Sequence, residues 1–344
     1  MPGQRLALRP AGEPDAPVAW LDYDELVVGT GAVPVVPPID GLDTLGPAEG
    51  VHLLHSMGDT FALTDTLERI QPKTALIVGA GYVGLEMAEG FTARGTTGLH
   101  VASDGPDGQP LGWDVDLVLV LVGVRPDTDL LTAAGAATGQ RGAVVVDETM
   151  ATGLPHVWAA GDCTITHHRL LGATYLPLGT TAHKQGRIAG ENALGGHARF
   201  AGSLGTQVVK VFDLVAARTG LRDHEAAAAG FAPVSTTSTP DDHKAYYPGA
   251  HPITIRITGD ATTGRLLGAQ LIGPRGTETP KRVDTYATAL FHGMTVAELS
   301  DLDLSYTPPF GSPWDAVQMA AQAWVREHQL QAEREAITGE RAGV

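Results

Sequence analysis

The chain has 344 residues, 43% of them apolar, and a mean hydropathy near zero, which excludes a disordered composition and leaves room for two ordinary domains or three small ones. A net charge of −16 opposes nucleic acid and anionic membrane surfaces as partners, although a local phosphate site made of backbone amides stays open. The longest apolar run, Leu117 to Val122, is far short of a membrane span, and no basic-plus-apolar leader is present, so the expectation is a cytoplasmic protein. The single cysteine, Cys163, excludes an intrachain disulfide and reads as a small buried hydrophobe.

In chain order, Gln4 to Leu21 has the composition of a hairpin, with Pro10, Gly12 and Pro14 at its turn. Tyr23 to Ala32 reads as a short buried strand entering a glycine turn, and the prolines between Pro34 and Pro38 stiffen its exit. His55 to Ile70 carries helical spacing at Phe61, Leu63, Leu67 and Ile70. Thr74 to Glu89 joins an apolar strand, glycines at 79, 81 and 84, and a helix-forming run, which is the opening of a dinucleotide-binding unit. Gly79 permits the tight turn, Gly81 lets backbone amides approach a pyrophosphate, and Gly84 lets the helix pack close to the strand. The bland alternative, mere turn chemistry, fits poorly beside such a strand and helix.

A complete unit needs an acidic ribose ligand about 20 residues further on. Gly98 to Gly108 reads instead as a hairpin strand and turn, so the second strand and its acidic ligand are expected to be lost unless Asp104 serves. Such a loss predicts unpaired edges beside Ile77 and Val118. Asp116 to Gly123 is a strand buried on both faces, Val157 to Cys163 a strand ending in a turn, and Thr181 to Leu194 a helix. After Gly196, strands at Gln207–Phe212, Ile253–Ile257 and Leu266–Ile272 precede helical patterns at Arg282–His292 and Trp314–Arg334, the order of an α+β domain. The charged stretch from Gln329 to Val344 is expected to fray, and 331–344 is set apart as a tail. His167 and His168 lack further ligands at metal spacing, so no metal site is expected.

Four segments in this order, Leu26 to Ala32, Gly79 to Glu86, Gly123 to Thr128 and Ala159 to Asp162, resemble the pyridine nucleotide-disulfide oxidoreductases. Leu176 to Arg187, Ala245 to Ala250 and Leu304 to Phe310 resemble the coenzyme A-disulfide reductase and NADH oxidase branch. The resemblance implies an α/β fold with split, here incomplete, FAD- and NAD(P)-binding Rossmann-like domains and a C-terminal α+β dimerisation domain. The implied divisions are 1–50 with 124–196 for FAD, 51–123 for NAD(P)H and 197–330 for a homodimer interface.

It further implies FAD contacts for Thr30, Gly31, Gly161, Asp162, Lys184 and Gln185, and NAD(P)H contacts for Gly79, Gly81, Gly84 and Tyr82. Glu86 would stand beside the nicotinamide, and Tyr306, with Tyr246 or Tyr247, would reach a small-molecule substrate. Without the family, Asp162 could be a helix N-cap, Lys184 a solvated helix residue and the tyrosines packing or interface residues. Two further departures stand out. Too few residues precede Leu26 for the family's first glycine-rich unit of about 30 residues. The redox cysteine of the same region has no substitute, because Cys163 is misplaced. Two functions therefore remain open: an FAD-dependent NAD(P)H oxidoreductase passing hydride to flavin and then to a thiol-level acceptor or oxygen, or an inactive dimeric module or fragment.

Overall fold

A computed structural model describes residues 4–13, 15–102 and 112–329. The first elements are strands β1 (Arg5–Leu8), β2 (Ala19–Asp22), β3 (Leu26–Val28), β4 (Ala32–Pro34) and β5 (Val51–Leu53). Helix α1 (Met57–Ile70), β6 (Thr74–Val78), α2 (Tyr82–Ala93), β7 (Gly98–Ala102) and β8 (Leu117–Val120) follow. The middle of the chain holds β9 (Val124–Pro126), α3 (Asp129–Ala133), β10 (Val157–Ala159), β11 (Thr166–His168), β12 (Gly172–Thr174) and α4 (Gly179–Ala193). The last third holds β13 (Gln207–Val211), β14 (Leu214–Gly220), α5 (Asp223–Ala228), β15 (Pro233–Ser238), β16 (Thr254–Asp260) and β17 (Leu266–Pro274), then α6 (Thr279–Phe291), α7 (Val296–Ser300) and α8 (Ala316–Trp324).

The chain divides into two compact units. One comprises Met1–Val33, Val124–His167 and Gly172–Gly202; the other comprises Pro34–Gly123, His168–Leu171 and Ser203–Val344. In the first unit β1 and β2 form the expected antiparallel hairpin, with Arg5 opposite Asp22 and Leu8 opposite Ala19. Strand β3 pairs in parallel with β10, Leu26 to Val157 and Val28 to Ala159. Val28, Leu131, Val144, Val157 and Ala159 are the buried residues of that core. Helix α4 adds Ile188 and Ala189 to a neighbouring cluster with Met150 and Phe200.

The second unit contains a four-stranded parallel sheet in the order β5-β8-β6-β7. Its strands carry continuous apolar residues because both faces are covered: Leu63 and Leu67 of α1, and Ala88 and Phe91 of α2, pack with Ala75, Ile77, Leu117 and Leu119. Helix α1 starts at a capping box in which Ser56 Oγ accepts from Asp59 N and Asp59 Oδ2 accepts from Ser56 N.

Two expectations are corrected here. Gly98–Ala102 is no hairpin arm: it runs parallel to β6 from Thr74 opposite Gly98 to Val78 opposite Ala102, and so supplies the second strand of the unit. The physical reason is the crossover through α2, which returns the chain on the same side in the same direction. Nor are the edges beside Ile77 and Val118 open. Ile77 is flanked by Val101 and Leu119, and Val118 by Val51 and Leu76. Asp104 and residues 331–344 lie outside the described residues.

The same unit contains an antiparallel sheet in the order β13-β14-β17-β16-β15. Helices α6, α7 and α8 bury Val283, Leu299 and Trp324 in a core with Ile255, Ile257 and Leu271 of this sheet. Trp324 donates from Nε1 to Val234 O at 2.9 Å, and a Cβ at Gly259 would stand 2.4 Å from its ring, which is why β16 carries glycine at that bulge. Of the helical pattern expected over Trp314–Arg334, the described residues form α8 to Trp324 and a π-helical stretch over Val325–Gln329, and residues 330–334 lie outside them.

Candidate functional site

In the second unit the chain passes from β6 to α2 through the three glycines. Gly79 holds φ at +117°, and a Cβ there would stand 2.3 Å from Leu121 O. A Cβ at Gly84 would stand 2.1 Å from Gly79 O, so only glycine lets α2 approach this closely. Gly81 differs from both: it is extended, it is the N-cap of α2 without a side-chain cap, and nothing lies within 4 Å of its Cβ position. Two glycines thus serve packing, while the third leaves clear space in front of the first helical amides. A pyrophosphate needs that combination of free N–H groups, positive helix terminus and absent side chain, so these residues fit a dinucleotide.

Tyr82 and Glu86 follow at i and i+4 on one face of α2, Tyr82 49% exposed and Glu86 exposed. The opposite face carries the buried Gly84, Ala88 and Phe91. Asp116 closes the far end of β6: its Oδ2 accepts from Lys73 N, Thr74 N and Thr74 Oγ1, each at 2.9 Å. These hydrogen bonds, the Thr74 backbone first, hold its carboxyl below the usual range.

In the first unit two of the four motif segments meet. Thr30 Oγ1 donates to Asp127 O at 2.5 Å, and Asp127 N donates to Gly31 O at 2.9 Å. Gly31 has φ +72° with nothing within 4 Å of its Cβ position. The turn after β10 is built around Gly161, at φ +84°, with Ala182 of α4 only 3.4 Å from its Cβ position. Gln185, fully buried on α4, accepts from Gly161 N at 3.0 Å through Oε1. Lys184 points elsewhere and is exposed.

Asp162 is half-buried in the turn between β10 and β11, and no helix begins there, so it is not an N-cap. Its backbone oxygen accepts from Tyr175 Oη at 3.0 Å. Burial, and then the Asp162 carboxylate, push the Tyr175 phenol up to about 12. No sequence pattern singles out Tyr175. Cys163 is fully buried, with its thiol 3.4 Å from Ala160 O.

The three tyrosines lie in the second unit. Tyr246 and Tyr306 are 73% and 44% exposed. Local desolvation, and then the neighbouring Tyr246, raise the Tyr306 phenol. Tyr247 is edge-on to His243, with ring centroids 6.3 Å apart. The segment is anchored from below by Arg282, which donates from NH2 to Asp242 O at 2.7 Å and pairs with Asp315 at 2.8 Å. Sequence reading missed this anchor, because a buried arginine inside a helical pattern carries no local signal. Among the described residues, no group of three metal-ligating side chains occurs, and no helix is long and apolar enough to cross a membrane.

The profile described as pyridine nucleotide-disulphide oxidoreductase matches residues 14–104 and 104–186, and the dimerisation domain of the same family matches 206–317. The chain is 30% identical to the NAD(P)H sulfur oxidoreductase (CoA-dependent) of Pyrococcus furiosus over 88% of this chain and 76% of that protein. It is 28% identical to the coenzyme A disulfide reductase of Staphylococcus haemolyticus over 86% of this chain and 74% of that protein. The solved NAD-dependent persulfide reductase from A. fulgidus superposes with a TM-score of 0.86 at 30% identity, covering 95% of this chain but only 66% of that one. The fold is therefore that of split FAD- and NAD(P)-binding α/β domains followed by a dimerisation domain, and the chain belongs to the pyridine nucleotide-disulphide oxidoreductase family.

Proposed function

We propose that this protein is an FAD-dependent NAD(P)H oxidoreductase of the disulfide reductase and NADH oxidase type. The observation that carries the reading is the glycine turn from Gly79 to Gly84, whose one unobstructed position lies at the uncapped start of α2. Its amides would hold the pyrophosphate of NAD(P)H, and Tyr82 and Glu86 would border the nicotinamide. Thr30, Gly31, Gly161 and Asp162 would hold FAD, with Lys184 near the ring and Gln185 fixing Gly161 from behind. The cofactors supply hydride transfer itself; the chain's part is to orient them and exclude water. Tyr306 and Tyr246 would border a thiol-level substrate. The names of the relatives give two acceptor classes, sulfur or coenzyme A disulfide and, through an NADH oxidase, oxygen. With the one cysteine buried, oxygen is the class this chain's own residues support.

The assignment of 1–50 and 124–196 to FAD, 51–123 to NAD(P)H and 197–330 to a homodimer interface belongs to this reading, as does a cytoplasmic location. A second reading, a dimeric module without catalysis, is favoured by one observation: the only cysteine is fully buried and cannot act as the redox thiol. Strand β3 adds to it, because among the described residues it pairs with β10 alone.

Incubation with FAD, removal of excess and a visible spectrum separate the two. Retained flavin absorbance that bleaches on adding NADH or NADPH supports the oxidoreductase. Absence of retained flavin from a folded dimer sinks it and leaves the module.

A further inference from the structure

Helix α2 is held from two sides within its unit. Gly84, Ala88 and Phe91 face the parallel sheet. The opposite stripe, Tyr82, Glu86 and Glu89, follows the i, i+4, i+7 spacing of one helix face. Its last member reaches the β13–β14 hairpin. Glu89 Oε2 accepts from Phe212 N at 3.0 Å, and Glu89 Oε1 accepts from Lys210 Nζ. Phe212 sits at the hairpin turn with φ +51°, a strained conformation for a side-chain-bearing residue. Both carboxylate oxygens of Glu89 are therefore committed to one hairpin, and Arg275 adds a further cation nearby.

A clamp at this place sets the rotation of the helix about its own axis. Side chains lie at a radius of about 5–6 Å, so a turn of about 10° shifts Tyr82 and Glu86 by about 1 Å. Backbone at the glycine turn lies only about 2.3 Å from the axis and moves less than half as far. We propose that Glu89 is a positioning residue for the nicotinamide end of the dinucleotide site, acting through Tyr82 and Glu86 and coupling that end to the β13–β14 hairpin. This rests on the reading of Gly79–Gly84 as a dinucleotide turn.

Calorimetric titration with NADH and with ADP-ribose, which lacks the nicotinamide, tests it on the wild type, E89A, E89Q and K210M. Glu89→Ala is expected to weaken NADH about fivefold or more, the lower end of ordinary coupling energies, while ADP-ribose changes less than about twofold. Glu89→Gln, which keeps an acceptor for Phe212 N, should fall between wild type and alanine, as should Lys210→Met. By reciprocity, NADH should slow hydrogen exchange at the Phe212 amide in wild type and not in Glu89→Ala. Equal losses for NADH and ADP-ribose, or no loss for NADH, overturn the proposal. Should Glu89→Ala not fold, the same ratio is read from Glu89→Gln and Lys210→Met. Failure of the wild type to bind ADP-ribose is a separate result: it removes the dinucleotide reading itself and the proposal with it.

Discussion

Gly161 and Gln185 are bonded across 24 positions of sequence, the glycine N–H donating to the glutamine Oε1 at 3.0 Å inside the first unit. The bond fixes a turn whose glycine has φ +84° and whose oxygen accepts from Thr164 Oγ1 at 2.9 Å. A buried amide that loses its only side-chain acceptor costs about 1–3 kcal/mol.

Gln185→Leu is therefore expected to lower unfolding free energy by about 1–3 kcal/mol and to reduce flavin retention. Lys184→Ala, one residue away on the exposed face, should leave the denaturation midpoint unchanged. Urea denaturation of both variants checks this, and equal effects would show that Gln185 does not hold the turn.

The glycines of the second unit should separate by role. A Cβ at Gly84 meets Gly79 O at 2.1 Å, a backbone atom that cannot swing aside as the end of a flexible side chain could. Gly84→Ala should therefore destabilise by about 1–3 kcal/mol, the range for overpacking. Gly81→Ala meets open space at φ −69° and should keep its melting temperature while weakening ADP-ribose binding. A Gly81 variant that binds as wild type would argue that the amides behind it do not face phosphate.

Much of this was legible beforehand, and the reason is local chemistry. The glycine turn, the strand over Leu117–Val120 and the helix containing Gln185 all announce themselves through contiguous patterns. What failed was pairing partner and direction. Gly98–Ala102 has a turn-rich sequel and reads as a hairpin arm, yet it lies parallel to β6, because α2 between them sets the direction of return. Strands β14 and β15 and helix α5 were passed over, since short alternating runs rich in alanine and threonine carry little hydrophobic contrast. Of the site, the backbone parts were visible and the bracing parts were not. Gln185 was singled out for a cofactor, and its bond to Gly161 depends on a contact no sequence period shows.

Acid should loosen the C-terminal sheet at a defined place. Glu225 is partly buried, which raises its carboxyl, but Arg222 through side chain and backbone, and then Arg218, outweigh this and bring it to about 2. It accepts from Arg222 NH2 at 2.7 Å and Arg218 NH2 at 3.0 Å. A carboxyl depressed on folding stabilises fully above its unfolded value of 4.5, and that stability is lost as pH falls from there through about 2. Glu225→Gln should cost about 2 kcal/mol at neutral pH and flatten stability between these limits. Chemical denaturation across that range checks it; an unchanged pH slope in the variant would remove Glu225 as the cause.

Cys163 decides how electrons could leave the protein. A thiol that attacks a disulfide must be ionised and reachable. Cys163 is not at the surface: it is fully buried after β10, with its thiol facing Ala160 O at 3.4 Å and Val28 O at 4.0 Å. An aromatic disulfide reagent should therefore label the native protein only at its unfolding rate, and reach full labelling in denaturant. Cys163→Ala should cost about 1 kcal/mol, the value of a small cavity, and leave flavin binding and NAD(P)H-dependent bleaching intact. Turnover with a coenzyme A disulfide should be equally low in wild type and Cys163→Ala, because no other thiol exists in this sequence to carry it. Oxygen needs no such thiol when flavin is bound, so oxidase turnover is the activity that should survive in both. Fast native labelling, together with loss of disulfide turnover in the alanine variant, would instead make Cys163 a working thiol and require the turn after β10 to open in solution.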